Sequence, residues 1–144
     1  MLTPGELASR LNKLVISILL VGHQKCASDW RQKARAIKYH SLWLVIKGRG
    51  TFTINGTHYP AEPGRLFCYT PGMIVERTTD PEQPLEYYFL RFHYTECYEE
   101  KEQWIVRSAE ESRFPLEGMY TVTNTPHSFI CSSSWICCGN EEGT

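Results

Sequence analysis

The chain has 144 residues, 42% hydrophobic and 12% aromatic, which is enough apolar material for one domain with a real core and too much for a disordered segment. Its 15 Lys and Arg stand against 16 Asp and Glu, a formal net charge of −1, with no long basic cluster, so the electrostatic footprint of a nucleic-acid-binding surface is missing. Six unevenly spaced cysteines (Cys26, Cys68, Cys97, Cys131, Cys137, Cys138) contain no CxxC and predict reduced cytosolic thiols rather than a disulfide framework, with Cys68 as core filler.

In chain order, Thr3, Pro4 and Glu6 read as N-cap, first helical residue and capping-box partner of a short helix or arm over Met1 to Asn12. Leu14 to Val21 is an apolar run far shorter than the ~20 residues that span a bilayer. No small-x-small cleavage pattern follows it, so a first buried strand is expected. Asp29 to Tyr39 carries Arg31, Lys33, Arg35 and Lys38, as a solvated edge strand would, because charge on an edge blocks unwanted pairing.

Leu42 to Gly72 is the most structured stretch. Leu42 to Ile46 is a short apolar run closed by Gly48 and Gly50, which predicts a strand. Thr51 to Ile54 alternates hydroxyl and apolar side chains, and Asn55-Gly56 supplies the two positive-φ residues of a tight hairpin. His58-Tyr59-Pro60 continues the return strand. Pro63-Gly64 then turns into Leu66 to Tyr69, and Pro71-Gly72 ends it. Short strands with dense turn signals predict an all-β sandwich or barrel. The carboxylates Asp80, Glu82 and Glu86 of the loop TTDPEQPLE read as solvated turn residues.

Thr95 to Glu117 is acidic and helix-favouring, with Trp104, Ile105 and Val106 as its apolar cluster, and predicts a surface helix or excursion packed on the barrel. Met119 to Thr123 predicts one more short strand, and Thr125-Pro126 opens a helix. We have no physical account of the terminal CSSSWICCGNEEGT. No Gly-x-Ser-x-Gly, P-loop or dinucleotide glycine fingerprint occurs.

The series Gly48, Gly50, Asn55-Gly56, Pro63-Gly64 and Pro71-Gly72, followed by Pro84 to His93, resembles the cupin core of the amino-terminal effector-binding domain of AraC-type transcription regulators. The likeness runs from about Trp30 to Tyr94. It implies a cupin-like double-stranded β-sandwich or barrel with short flanking helices, one domain over residues 1–144, with 1–13 as the arm and 124–144 as the start of a linker helix. The chain's cysteine- and serine-rich end matches that linker poorly.

Metal-bearing cupins resemble one another in a His-x-His pair, a Glu and a later His. Here Ala34, Ala36, Ser41 and Val75 occupy those places, so no metal and no cofactor is expected. His40 lies one residue from the Glu place and should face the opposite side of its strand. Carrying strand parity from the same pattern puts Trp43, Val45, Val75 and Arg77 inside the barrel. The resemblance makes Tyr87, Phe89, Arg91 and His93 the pocket-facing set of a later strand and suggests Lys33 or Arg35 as a polar contribution from the strand before the core. Arg35, Trp43, Arg77, Phe89 and Arg91 are therefore the expected ligand-binding residues: arginine forks suit hydroxyls, carboxylates or phosphates, and aromatic rings stack on sugars or planar ligands. The alternative for Arg77 and Arg91 is pairing with Glu76 or Glu86 across the sheet, and for Trp43 a plain place in the core.

The resemblance implies a cytoplasmic, non-enzymatic sensor of a small effector, a sugar or an organic acid. Such a sensor acts as a homodimer and reaches DNA through helix-turn-helix units that this chain lacks, with no membrane role. Two alternatives remain: a metal-free cupin enzyme such as a sugar isomerase or epimerase, and a pure dimerisation module with a filled barrel.

Overall fold

The structure is a computed structural model that describes residues 2–122. Helix α1 (Pro4–Asn12) begins as its sequence dictates: Thr3 Oγ1 accepts from the Glu6 amide at 3.1 Å, and Glu6 Oε2 accepts from the Thr3 amide at 3.0 Å. It buries no side chain.

Ten strands follow: β1 (Leu14–Lys25), β2 (Arg31–Ala36), β3 (His40–Lys47), β4 (Gly50–Ile54), β5 (Thr57–Ala61), β6 (Arg65–Tyr69), β7 (Ile74–Thr79), β8 (Glu86–Glu100), β9 (Gln103–Ser108) and β10 (Gly118–Thr121). They form a six-stranded sheet in the order β1-β8-β3-β6-β10, with β9 also on β8, and a four-stranded sheet in the order β2-β7-β4-β5. All pairings are antiparallel. The β4–β5 hairpin turns through Asn55 (φ 50°) and Gly56 (φ 85°), the pair of left-handed residues whose twist matches that of the strands they join.

The sheets pack face to face. Trp43 and Val45 of β3, Phe67 and Tyr69 of β6 and Tyr87 of β8 meet Phe52 and Ile54 of β4, Ala61 of β5 and Val75 of β7 in one buried cluster. The rings of Phe52 and Phe67 lie 4.6 Å apart across the interface, each fully buried. Each contributes roughly 1.5–3 kcal/mol by leaving water. A smaller cluster, Phe92, Tyr94 and Phe114, lies on the outer face of the large sheet, because alternate residues of β8 point to opposite sides.

Two expectations need correction. β1 is a strand, longer than Leu14 to Val21, but it is not buried: Val15, Ile16, Ile18, Leu19, Leu20 and Val21 are all exposed. It sits at the sheet edge, and its only strand partner is β8, so apolar content alone did not bring it a covering layer among the described residues. The segment after Tyr94 is not a helix. β8 runs on to Glu100, turns through Lys101 (φ 50°) and Glu102 (φ 65°), and returns as β9. Strand pairing to an existing edge outweighs the local helix preference of Glu- and Lys-rich sequence. Trp104 is consequently 70% exposed.

Met119 to Thr121 lies in β10 as a short strand on β6. The helix start at Thr125 lies outside the described residues, as do Cys131, Cys137 and Cys138. Cys26 and Cys68 are buried free thiols and Cys97 is a half-buried one. Burial pushes the Cys26 thiol up to about 11 and the Cys68 thiol up to about 12.

Candidate functional site

The side chains that alternation sends inward from β3, β7 and β8 meet at one end of the sandwich around a cavity of about 600 Å³. Its lining comprises Arg35 and Ala36 of β2, Ile37, Lys38 and Tyr39 of the connection to β3, Ser41 and Trp43 of β3, Arg77 of β7 and Arg91 of β8. Four of the five expected residues, Arg35, Trp43, Arg77 and Arg91, are therefore brought to one space. Phe89 stands behind them, its ring 5.8 Å from that of Trp43 and over Gly22, where a β-carbon would sit 2.3 Å from Phe89 Cζ. Lys33 is not in the lining.

Arg77 is the central group. It is 2% exposed, with its guanidinium carbon 3.6 Å from the centroid of the Trp43 ring and 5.0 Å from that of Tyr69. Trp43 in turn stacks on Tyr87 with centroids 4.3 Å apart at 20°. Guanidinium, indole and phenol thus form a three-layer stack, which leaves the indole with an edge rather than a face to offer a ligand. Arg77 Nε donates to the Tyr69 hydroxyl at 3.5 Å, and Nη1 donates to Gln32 Oε1.

Among the described residues no carboxylate answers this charge. Glu76 pairs with Arg31 at 3.2 Å and Glu86 with His23 at 2.6 Å, so the two acids that the sequence offered as partners are engaged elsewhere. Burial pushes the Arg77 guanidinium below its usual range; Tyr69 and Tyr87 oppose that, and the neighbouring Arg35 charge reinforces it. Arg91 has Tyr39 as its aromatic neighbour, the guanidinium carbon 5.5 Å from the ring centroid. Among the described residues, Arg35, Lys38, Arg77 and Arg91 take part in no ion pair.

Sequence reasoning missed Gln32. In β2, Gln32 pairs with Arg77 and Arg35 with Val75, with an irregularity between them. Three steps on β2 are matched by two on β7, so Gln32 and Arg35 both face inward although strict alternation would separate them. No sequence signal marks that bulge. Ser41, 5% exposed, and Ala36 lie in the cavity wall at places where metal-bearing cupins carry ligands. Among the described residues no three His, Cys, Asp or Glu side chains come together as a metal site.

A second cavity, of about 770 Å³, opens beyond the Lys38–Tyr39 wall. His40, His93, Arg113, Glu110 and Glu117 line it with the rings of Phe92, Tyr94 and Phe114. His40 faces this side, as its parity requires, and its buried Nδ1 has no hydrogen-bond partner among the described residues.

No helix among the described residues is long and apolar enough to cross a membrane. No curated protein sequence matches the chain. The chain is similar to a Cupin 2 conserved barrel domain protein from Salinispora arenicola, at 17% identity and a TM-score of 0.43 over 55% of this chain and 76% of that one. It is also similar to a protein named as a sugar phosphate isomerase from Acidithiobacillus ferrooxidans, at 17% identity and a TM-score of 0.32 over 56% of this chain and 63% of that one. The model of the AraC-like ligand-binding domain matches residues 17–115, a span that runs from within β1 to beyond β9 and carries every residue named in the cationic cavity: the chain belongs to the AraC-like ligand-binding domain family.

Proposed function

We propose that this chain is the effector-sensing part of an AraC-type transcription regulator, acting in the cytoplasm as a homodimer and reaching DNA through helix-turn-helix units outside this chain. The single observation that carries the reading is the open interior cavity with Arg77 at its centre. A domain built only to dimerise would fill that space with side chains. The effector is a small molecule held by Arg77, Arg91, Arg35 and the edge of Trp43, with Phe89 supporting Trp43 from behind.

Binding becomes a signal by population shift. The cavity wall at Lys38 and Tyr39 is also the wall of the outer cavity, so a ligand that orders this connection also acts on the outer side. That side holds Arg113, whose carbonyl accepts from Arg10 Nη2 of α1 at 2.6 Å. Because α1 buries nothing, a small bias suffices to move the segment 1–13, and residues 124–144 would carry the change to a following domain.

The alternative is a metal-free sugar isomerase or epimerase, which needs an acid and a base converging on the substrate. Among the described residues the cavity lining offers Tyr39 but no imidazole and no carboxylate. A thermal-shift screen of sugars and organic acids, paired with turnover assays on sugar phosphates, tests the proposal. The sensor reading expects a ligand that raises the melting temperature by mass action and is recovered unchanged. Catalytic turnover of any sugar phosphate would overturn it in favour of the enzyme.

A further inference from the structure

Resting on the sensor reading, we infer that the effector is an anion: a small metabolite whose carboxylate or phosphate seats on Arg77, with Arg91, Arg35 and Lys38 around it, and not a neutral sugar.

The charge count of the cavity is the first argument. Among the described residues its lining holds four cationic side chains and no Asp or Glu, and none of the four is in an ion pair with a described residue. Surface cations without partners are ordinary. A guanidinium that is 2% exposed is not, because a buried charge costs free energy unless an opposite charge or full hydrogen bonding offsets it.

The second argument is the unused donor capacity. A guanidinium carries five N–H donors, and Arg77 spends Nε on Tyr69 and one Nη1 hydrogen on Gln32, while Nη2 makes no hydrogen bond among the described residues. Three donors remain, two of them on Nη2. A pair of parallel N–H groups on a guanidinium matches the two oxygens of a carboxylate or phosphate. Burial already pushes Arg77 toward losing its proton, and an oxyanion on the remaining donors reverses that by favouring the charged form.

The third argument excludes the neutral alternative. A sugar without charge is recognised by an aromatic face against its apolar side and by paired hydrogen-bond donors and acceptors. Here Trp43 has one face covered by Arg77 and the other by Tyr87. The polar side chains of the described lining are donors only, except for the Ser41 and Tyr39 hydroxyls, which can also accept. A neutral polyol would leave hydroxyl hydrogens without acceptors, whereas an oxyanion is all acceptor.

The experiment uses the whole chain and three versions of one carbon skeleton, glucose, glucuronate and glucose 6-phosphate, together with galactose and galacturonate, succinate and inorganic phosphate. Binding is read by calorimetry and thermal shift at low and high salt, on the native chain, on Arg77→Gln and on Arg91→Gln. Arg91 is half-buried rather than buried, so its variant keeps the test valid if Arg77→Gln does not fold. Anionic probes should bind and weaken as salt rises. They should lose about tenfold or more in affinity in either variant, and the uronates and succinate against the phosphates identify which oxyanion is preferred. Binding of glucose or galactose that equals or exceeds that of their charged counterparts overturns the anion assignment while leaving the sensor reading intact. Anion binding that neither variant weakens overturns the placement on Arg77. No binding by any probe, charged or neutral, counts against both the assignment and the sensor reading beneath it.

Discussion

The two cavities share the wall made by Lys38 and Tyr39, yet they differ in a way that size does not reveal. The outer one is larger, about 770 against about 600 Å³. Its lining includes the acids Glu110 and Glu117, and Arg113 is bound to Glu117 at 2.8 Å. Among the described residues the inner one holds four cations and no acid. An electrostatically closed space needs no ligand, whereas an open one is stable only because a folded core around it meets the cost. The contrast teaches that charge balance and buried donors left over, rather than volume, separate a binding site from a surface hollow.

The comparison can be broken most directly at Trp43, the middle layer of the inner stack. Trp43→Ala should destabilise the free domain by about 3–5 kcal/mol in a urea titration, since it leaves a void beneath a buried charge. A loss below about 1 kcal/mol would mean that the stack is not part of the core.

Replacing Arg77 sharpens the contrast. Because its charge is buried without a counter-ion among the described residues, Arg77→Met should stabilise the unliganded protein by about 1 kcal/mol while abolishing ligand-induced stabilisation. Destabilisation beyond about 2 kcal/mol would make Arg77 a structural residue instead.

Arg91→Ala is the gentler version. The side chain is half-buried with Tyr39 as its neighbour, so the free domain should change by no more than about 0.5 kcal/mol. The melting-temperature rise given by a true ligand should nonetheless be lost, and an unchanged rise would remove Arg91 from the site.

The smallest effect belongs to the outer cavity. Burial, helped by the His93 charge and opposed by Glu117, holds the His40 imidazole below its ordinary value of 6.5. A folded-state value below the unfolded one means that the unfolded chain binds the proton first. The stabilising contribution is therefore complete above 6.5 and is lost as pH falls through that value. The thermal midpoint should drop modestly between about pH 7 and about pH 5, and His40→Phe should flatten that part of the profile. A pH profile identical in the variant would show that His40 does not titrate differently on folding.

What the sequence settled was local. Asn55-Gly56 closes its hairpin because two successive left-handed residues are cheap only for such a pair. Alternation sent Trp43, Val45, Val75 and Arg77 inward and His40 outward, because each strand side chain must oppose its neighbour. Those two rules were enough for the short antiparallel strands and for two residues of the cavity wall, Trp43 and Arg77; Arg35 and Arg91 came from the family likeness.

What only the tertiary structure decided depends on the segment lying opposite. The apolar run of β1 reads as core, but as an edge strand it is exposed. The segment around Trp104 favours a helix, yet the free edge of β8 captures it as β9. The irregularity between Gln32 and Arg35 turns both toward β7, which gives Arg77 an amide oxygen rather than a carboxylate. Glu76 and Glu86, the plausible partners in the sequence, lie with Arg31 and His23 instead. A sequence fixes which side chains are charged and which way a strand turns them. Whether a charge is answered is a property of the packed sheets, because pairing acts over a few ångströms between residues tens of positions apart.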